Sequence, residues 1–305
     1  MCYLRTKKLQ KRSTTERRIC LLEKLVQEIL LDYLSSSIVG LKNNYMKDFL
    51  PKGYVSEVVP CQSSSRFNIE QATLDQLNLF AKINPIYLDR TNVMVDGMLC
   101  TSYEGDINKY WLSSKKHDTC YQPFYPTWLL SAYALAVYSK RLGFKELIDI
   151  GSGDGRIAYC STLLGLKAFS IEIDDSLGSV QQDILSVTGV SFELLTTDAT
   201  SFDYESLDLS CPIFFISGLP ESGDILARDV ISKEISPRHK KGRVGFNFMG
   251  THVMREYMAD KTQWGWGNII NRFDLEVLGC ATLPTLWTND QEIDTAYVFT
   301  QFRQK

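Results

Sequence analysis

The sequence predicts an α/β protein with a doubly wound, mostly parallel sheet of seven strands. From about residue 117 onward, short apolar runs alternate with helical patterns, which is typical of a parallel sheet with helices on both faces. The run 212–216 is apolar throughout, as expected of a strand buried on both sides. The 305 residues are 44% hydrophobic and 23% charged, a composition that excludes a disordered or collagen-like chain.

The predicted elements follow one another regularly in the C-terminal part of the chain. Strands are predicted at 146–150, 168–173, 191–195, 212–216, 243–248, 275–281 and 295–302, and helices at 128–142, 156–166, 175–186 and 222–235. The last two strands flank a polar stretch and are predicted to pair with each other.

Residues 1–116 are predicted to form a mainly helical accessory region that covers the site and helps to select the substrate, and residues 117–305 the main domain. The capping-box sequence 13–16 precedes apolar residues at helical spacing, and this helix is predicted to end near the serine run 35–37. A second helix is predicted over 69–83, starting from an Asn68 cap.

The rest of the accessory region is less regular. Short strands are predicted around 93–99, bounded by Gly97 and Gly105. These pieces give the region some β-structure beside its helices, but no strand is predicted before residue 69.

Charge is distributed unevenly along the chain. The net charge is −3, yet the first 18 residues carry seven basic side chains and one acidic one. A basic arm on an acidic body could contact a phosphate backbone or an acidic partner, and the same pattern also fits a solvated terminus.

The eight cysteines include no CxxC pair, and no two histidines have metal-ligand spacing. No apolar segment typical of a signal peptide occurs at the N-terminus, and no run of about 18 apolar residues appears. We therefore expect a cytoplasmic protein in a reducing setting, with no bound metal and no membrane span.

The residues that indicate chemistry are 149–156, with the sequence DIGSGDGR. This segment follows a predicted strand and opens a helix, where glycines allow positive φ and the first N–H groups of the helix face outward. A dinucleotide fingerprint would have its third glycine at position 156, but here the third glycine is Gly155. Asp149 and Asp154 would repel a pyrophosphate, whereas they could face an ammonium or a sulfonium.

Acidic residues also end the next two predicted strands. Glu172 could accept hydrogen bonds from both hydroxyls of a ribose, and Asp198 could accept one from an adenine amino group. Together these acids predict a pocket for a nucleoside without phosphates.

The segments ELIDIGSGDG, IEID and TTDAT resemble the Rossmann-like class I S-adenosylmethionine-dependent methyltransferases over about residues 120–305. The resemblance implies S-adenosylmethionine as cofactor, with Glu172 holding the ribose and Asp198 the adenine. The resemblance also implies that residues of the glycine loop bind the cofactor and line its methionine end. The remaining cofactor-binding residues that it implies are Asp149, Gly151, Ser152, Gly153, Gly155, Ile173 and Ala199. A Rossmann-like turn that binds another nucleotide is the alternative.

The sequence FYPT at 124–127, together with GSGDGR, resembles the seven-strand protein-lysine methyltransferases that lack a SET domain. This closer resemblance implies that Tyr125 and Thr127 fold over the methionine part of the cofactor, although Thr127 also fits an ordinary helix N-cap. The sequence SGLPE at 217–221 lacks the Asp/Asn-Pro-Pro-aromatic element of enzymes that methylate exocyclic amino groups of bases.

Ser217 and Glu221 follow the fourth predicted strand and are candidate catalytic residues near the point of methyl transfer. Glu221 also fits a helix N-terminus, where its charge is favourable. A lysine acceptor must lose its proton, and burial or a neighbouring cation lowers its pKa, so a dedicated base is not required.

The predicted acceptor is a protein, with RNA and a small molecule as alternatives. An aminopropyltransferase is a third alternative, but its GGGDG loop is missing, and a non-catalytic binding module is a fourth. Trp264 and Trp266 could line a substrate pocket or pack a loop onto the core, and His252 could be a base or a structural residue.

Overall fold

The computed structural model describes residues 33–47, 55–106, 126–216, 220–235, 242–249, 266–286, 289 and 294–303. The basic arm of residues 1–18, the capping box at 13–16 and the boundary at residue 116 lie outside this part of the chain. None of the described helices is both long enough and apolar enough to cross a membrane.

The accessory region is a small antiparallel sheet between two helices. Its elements are α1 (33–47), β1 (Val55–Pro60), α2 (Gln71–Ile83), β2 (Tyr87–Val95) and β3 (Met98–Gly105), and the strand order is β1-β3-β2. The hydroxyl of Tyr45 in α1 contacts Ser102 at 2.6 Å, whereas the neighbouring Tyr103 donates to Asn78 in α2. Because successive strand residues face opposite sides, the two helices cover opposite faces of the sheet.

Two sequence expectations for this region need correction. The sequence predicted a helix end near the serine run 35–37, but the described helix 33–47 runs through it, and the Ser35 hydroxyl contacts that of Tyr138 at 2.8 Å. A tertiary contact thus outweighs the low helix propensity of serine. The second helix begins at Gln71 with Glu70 as N-cap rather than from Asn68.

The structure also adds β1 to a region that was predicted as mainly helical. The strands expected around 93–99 form the hairpin β2–β3, which turns at Asp96 and Gly97 with positive φ at both residues. Such a turn matches the twist of the flanking strands.

The C-terminal part of the chain forms the predicted seven-stranded sheet. Its elements are α3 (Leu129–Arg141), β4 (Glu146–Ile150), α4 (Arg156–Leu163), β5 (Lys167–Glu172), α5 (Asp175–Thr188), β6 (Glu193–Thr196), β7 (Pro212–Ile216), α6 (Pro220–Asp229), β8 (Gly245–Met249), α7 (Trp266–Arg272), β9 (Leu275–Leu283) and β10 (Thr295–Phe302). A short 3₁₀ turn covers Tyr204–Ser206, and α6 runs into a π-helical segment at Val230–Ile235.

The strand order is β6-β5-β4-β7-β8-β10-β9, and β10 runs in the opposite direction to the other six strands. The predicted fold class, a mostly parallel seven-strand sheet, is confirmed. The chain proceeds outward from β4 to β6 and then returns to β7 on the other side of β4. In doubly wound sheets the ligand binds at the carboxyl ends of the strands where the order reverses. This rule places the site at the end of β4, where the loop 151–155 begins.

The accessory region shares a hydrophobic core with one face of the large sheet. This core contains Ile38 and Leu74 of the accessory helices together with Leu147 and Phe215 of the sheet, all buried. The other face packs separately around residues that include Ile148, Phe214, Phe246 and Trp266. Alternate residues of β4 and β7 thus belong to different cores, as the two-residue repeat of a strand requires.

Polar contacts, buried and part-buried, also join the two regions. The ammonium of Lys42 in α1 lies 2.6 Å from the Asp294 carboxylate, and both side chains are almost fully buried. The Trp128 indole donates to Asn289 at 2.9 Å, and Asn289 donates to the carbonyl of Ser56 at 2.8 Å. The accessory region is therefore an integral part of the folded body.

Candidate cofactor site

The loop 151–155 connects β4 to α4 in a conformation that depends on glycine. Gly151, Gly153 and Gly155 have φ of 67°, 60° and 76°, in the left-handed region predicted from the sequence. The N–H groups of Gly151 and Ser152 donate to the carbonyl of Ile171 in β5, at 2.9 and 3.2 Å. This anchoring holds the loop against the end of the neighbouring strand.

Asp149 stands in β4 immediately before this loop and is completely buried. Neither of its carboxylate oxygens accepts a hydrogen bond of ordinary geometry from the described residues. Burial, reinforced by the charges of Glu172 and Asp154, raises the pKa of Asp149 to about 8, although the backbone of Ala158 opposes the rise. A buried carboxyl group without a partner is costly. This arrangement favours a bound ligand that brings a cation or hydrogen-bond donors.

Glu172 lies at the end of β5, beside the loop. Its carboxylate accepts hydrogen bonds from the N–H groups of Gly153 at 2.7 Å and Asp174 at 2.9 Å. Burial raises the pKa of Glu172, and these backbone donors oppose the rise. A carboxylate offers about four acceptor positions, so Glu172 can fix the loop and still accept from hydroxyl groups of a ligand.

Asp154 does not lie free to face a ligand cation, as the sequence had suggested. Its carboxylate contacts the Arg156 guanidinium at 2.9 and 3.1 Å through Nε, and it accepts from Asn84 of the accessory region at 2.7 Å. Asp154 is therefore bound within the protein, and Asp149 and Glu172 are the acids of this loop region with capacity for a ligand.

Gln181 lies in α5 and forms hydrogen bonds with the loop, a role that was not predicted from the sequence. Its amide group donates to the carbonyl of Gly153 at 2.7 Å and to Ser152 Oγ at 3.0 Å, while its oxygen accepts from Ser170 at 2.5 Å. A single polar residue at a helical core position, 28 residues after the loop glycine that it binds, carries no recognisable signal in the sequence.

The remaining predicted cofactor residues lie at the ends of neighbouring strands. Asp198 follows β6, is exposed, and accepts from the N–H and hydroxyl of Thr200, both at 2.8 Å. Ala199 is buried beside it, and Ile173 is half-buried after β5. Their roles toward an adenine and a ribose stay predictions.

Thr127 is buried, and its side chain has partners within the protein. The hydroxyl contacts that of Tyr297 at 2.5 Å and donates to the carbonyl of Pro284 at 3.3 Å. Helix α3 has Trp128 at its N-cap, so the alternative that Thr127 caps it is wrong. Whether Thr127 also approaches the methionine part of a cofactor stays a prediction.

Several predicted residues lie outside the described part of the chain, namely Tyr125, Ser217, His252 and Trp264. Glu221 is the second residue of α6, which begins two residues before the predicted start at 222. Trp266 is buried, donates to the carbonyl of Met249 at 2.7 Å and stacks on Phe248. It packs the start of α7 onto the core and does not line a substrate pocket.

Alanine at position 155 is expected to destabilise the protein, because it would meet both strain and a clash. A Cβ there would lie 2.7 Å from Gln181 Oε1 and 3.0 Å from Phe192, at a φ of 76°. We expect a loss of about 2–3 kcal/mol in the free energy of unfolding, measured by urea denaturation. Gly165 is the matched control, because it has a φ of 78° but no atom within 4 Å of a Cβ. Gly165→Ala should cost about 1–2 kcal/mol, and an equal loss in both variants would contradict the packing argument.

S-adenosylmethionine fits the chemistry of this donor and acceptor set. It has cationic groups for the buried Asp149 carboxylate and ribose hydroxyls for Glu172. No group of three or more His, Cys, Asp or Glu side chains that could hold a metal occurs among the described residues.

No family model and no curated protein match the sequence. Among solved structures, it is similar to a Pyrococcus horikoshii protein proposed to be an RNA methyltransferase, with 13% identity over 65% of this chain and 98% of that one and a TM-score of 0.43. It is also similar to the ribosomal protein L11 methylase of Lactobacillus delbrueckii subsp. bulgaricus (12% identity, 57% and 77% covered, TM-score 0.39). A third is the magnesium protoporphyrin IX methyltransferase of Synechocystis PCC 6803 with bound SAM (12% identity, 57% and 78% covered, TM-score 0.41). At these TM-scores the similarities say nothing about acceptor or mechanism.

Proposed function

We propose that the protein is an S-adenosylmethionine-dependent methyltransferase. The observation that carries this proposal is the buried carboxyl group of Asp149, which accepts no hydrogen bond of ordinary geometry from the described residues and lies near the end of β4, beside Glu172. The loop presents no lysine or arginine that would favour a phosphate-rich ligand, since Arg156 is bound to Asp154 and Glu57. A nucleoside that carries positive charge complements this arrangement best.

S-adenosylmethionine supplies an activated methyl group on a sulfonium when it is bound. The protein then has to hold it and the acceptor in line and exclude water, which can account for much of the acceleration. Asp149 balances positive charge in a buried setting, and Glu172 orients hydroxyl groups while fixing the loop. Ser217 and Glu221 stay candidates for contacts with the acceptor.

Glu172→Gln tests the cofactor assignment. The amide retains one acceptor oxygen but loses the charge, so we expect binding of S-adenosylmethionine to weaken by about 10- to 100-fold. Calorimetric titration of the wild type with S-adenosylmethionine and with NAD should show binding of the first alone.

Glu146→Gln is the matched control for this titration. Glu146 is also a buried acid of the same sheet, and it accepts from Ser210 and from the N–H of Cys211, both at 2.7 Å, but at the opposite end of β4. If Glu146→Gln weakened binding as much as Glu172→Gln, the effect would reflect general destabilisation. Binding of NAD in place of S-adenosylmethionine would overturn the proposal.

For the acceptor we propose a lysine side chain of a protein. The support is the resemblance of FYPT at 124–127 and GSGDGR at 151–156 to the protein-lysine methyltransferases without a SET domain. Transfer of labelled methyl groups into a cell extract, separated into protein and RNA, tests this proposal. Label in protein that survives nuclease and appears as methyllysine supports it, whereas label in RNA or in small molecules identifies one of the alternatives.

A further inference from the structure

A buried polar cluster connects the accessory sheet to the glycine loop. It consists of Glu57 in β1, Asn84 after α2, Tyr87 in β2, and Asp154 and Arg156 of the loop and α4. We propose that Glu57 is a positioning residue for the cofactor site. Glu57 acts through Arg156, and the affinity for the cofactor therefore depends on the accessory region. This inference rests on the proposed function and adds to it a residue from outside the cofactor fold.

Arg156 is the centre of the cluster. Its Nε contacts both oxygens of Asp154, and its Nη1 donates to Glu57 at 3.1 Å and to the carbonyl of Thr127. Its Nη2 donates to Asp154 and to the Tyr87 hydroxyl. A guanidinium has five donors in a rigid fork, so these contacts fix the orientation of the side chain.

Glu57 is fully buried and uses both of its oxygens. One accepts from Arg156 and from the Tyr87 hydroxyl, and the other accepts from the N–H of Leu129 at the start of α3. Burial raises the pKa of Glu57, and the charge of Arg156 opposes the rise. A single carboxylate from the accessory sheet therefore holds both the arginine that binds the loop and the first turn of the neighbouring helix.

Asp154 transmits this restraint to the loop. It lies between Gly153 and Gly155, and its carboxylate is held by Arg156 and by Asn84. The N–H of Gly153 in turn donates to Glu172, a predicted ligand of the ribose. Displacement of Arg156 would leave Asp154 held by Asn84 and would loosen the glycine backbone on which the cofactor has to rest.

Loss of the Glu57 charge is expected to loosen the loop in particular. In Glu57→Gln, an amide N–H2 or a neutral oxygen would face Arg156 in place of a charged acceptor. We expect at least tenfold weaker binding of S-adenosylmethionine by calorimetry. In the unliganded protein we expect about tenfold faster hydrogen exchange in a peptide that spans 150–157, with unchanged exchange in one that spans 212–216.

Two further variants keep this test decisive. Leu74→Ala removes a buried side chain of α2 that belongs to the shared core and is not a member of the cluster. It should not accelerate exchange at 150–157 more than at 212–216. Tyr87→Phe removes one hydroxyl from the cluster. It should weaken binding of S-adenosylmethionine and accelerate hydrogen exchange at 150–157, each by a smaller factor than Glu57→Gln. If Glu57→Gln does not fold, the same two measurements on Tyr87→Phe, compared with those on Leu74→Ala, test the positioning role.

The proposal is overturned if Glu57→Gln, or Tyr87→Phe in its place, binds S-adenosylmethionine within twofold of the wild type. It is also overturned if exchange rises equally in all peptides. If the wild type binds no S-adenosylmethionine but exchange at 150–157 still rises selectively in Glu57→Gln, the positioning role is supported and the proposed function fails. The two failures are therefore distinguishable.

Discussion

Replacement of Asp149 by asparagine is expected to abolish binding of S-adenosylmethionine while stabilising the unliganded protein. The carboxyl group is fully buried, has no hydrogen-bond partner of ordinary geometry, and lies near the charges of Glu172 and Asp154. A ligand cation would compensate for this cost, but without a ligand the cost lowers the stability of the folded protein. Asparagine removes both the cost and the charge, so binding should weaken by about 100-fold or more.

The stabilisation should depend on pH. Burial raises the pKa of Asp149 to about 8 in the folded protein, from an ordinary value near 4 in the unfolded chain. Between these values the folded state binds the additional proton, so the wild type loses stability as pH rises from about 4 to 8. Asparagine does not titrate, and the stability advantage of Asp149→Asn should therefore grow over the same window.

Urea denaturation at pH 4.5 and pH 8 measures this difference. We expect the advantage of Asp149→Asn to be about 4 kcal/mol larger at pH 8 than at pH 4.5, because only the wild type titrates between these values. The need of the new amide for partners lowers the advantage equally at both pH values. Glu146→Gln serves as the control, because Glu146 accepts hydrogen bonds from Ser210 and Cys211 and should lose stability when neutralised. A less stable Asp149→Asn at pH 8 would show that the carboxylate has a structural partner.

The same shift predicts how wild-type affinity varies with pH. A cation binds the ionised carboxylate, so at pH 7 the binding of S-adenosylmethionine must displace a proton from Asp149. Affinity should rise with pH up to about 8 and then level off. Calorimetry in buffers of different ionisation enthalpy should detect the released proton, and its absence in the wild type would contradict this assignment.

The main sheet was predictable because its strands alternate with helices and several are continuous apolar runs. The strands Glu146–Ile150, Pro212–Ile216 and Thr295–Phe302 have the bounds expected from the sequence. The accessory strand Val55–Pro60 was not predicted, because all six residues are buried and the polar Glu57 interrupts the apolar pattern. Period-two alternation, which identifies a half-exposed strand, is absent there.

The candidate site was predictable only in its local part. The glycines and the acids at strand ends lie in one loop and two strand termini, where spacing carries the information. The partners of Asp154 and Arg156 are remote in sequence, since Asn84 and Glu57 lie 70 and 99 residues away. The sequence alone could therefore not distinguish an acid that faces the ligand from one that binds its own protein.

Residues 117–305 expressed alone are expected not to fold into a cooperative, cofactor-binding unit. The sequence predicted an accessory region at residues 1–116, and in the structure Ile38, Leu41 and Leu74 of this region lie in one core with the face of the large sheet that contains Leu147 and Phe215. Exposure of a buried aliphatic or aromatic side chain costs about 1.5–3 kcal/mol. A few such exposures equal the whole stability of an ordinary protein, about 5–15 kcal/mol.

The fragment would also lose buried polar contacts between the two regions. Arg156 would lose Glu57, Asp294 would lose Lys42, and the N–H of Leu129 would lose its acceptor. Removal of one member of a buried ion pair costs about 3–5 kcal/mol. We therefore expect a broad or absent thermal transition by circular dichroism and no heat of binding with S-adenosylmethionine.

Co-expression of residues 1–116 and 117–305 as two chains tests whether the fragment fails because it lacks contacts with the accessory region or because the chain is broken. The shared core and the Glu57–Arg156 pair are non-covalent, so the two fragments should associate and recover both the transition and at least part of the binding. A fragment 117–305 that melts cooperatively at the temperature of the full chain, and binds S-adenosylmethionine equally well, would refute this prediction. It would also mean that the accessory region contributes nothing to the glycine loop, because Glu57 would then be dispensable.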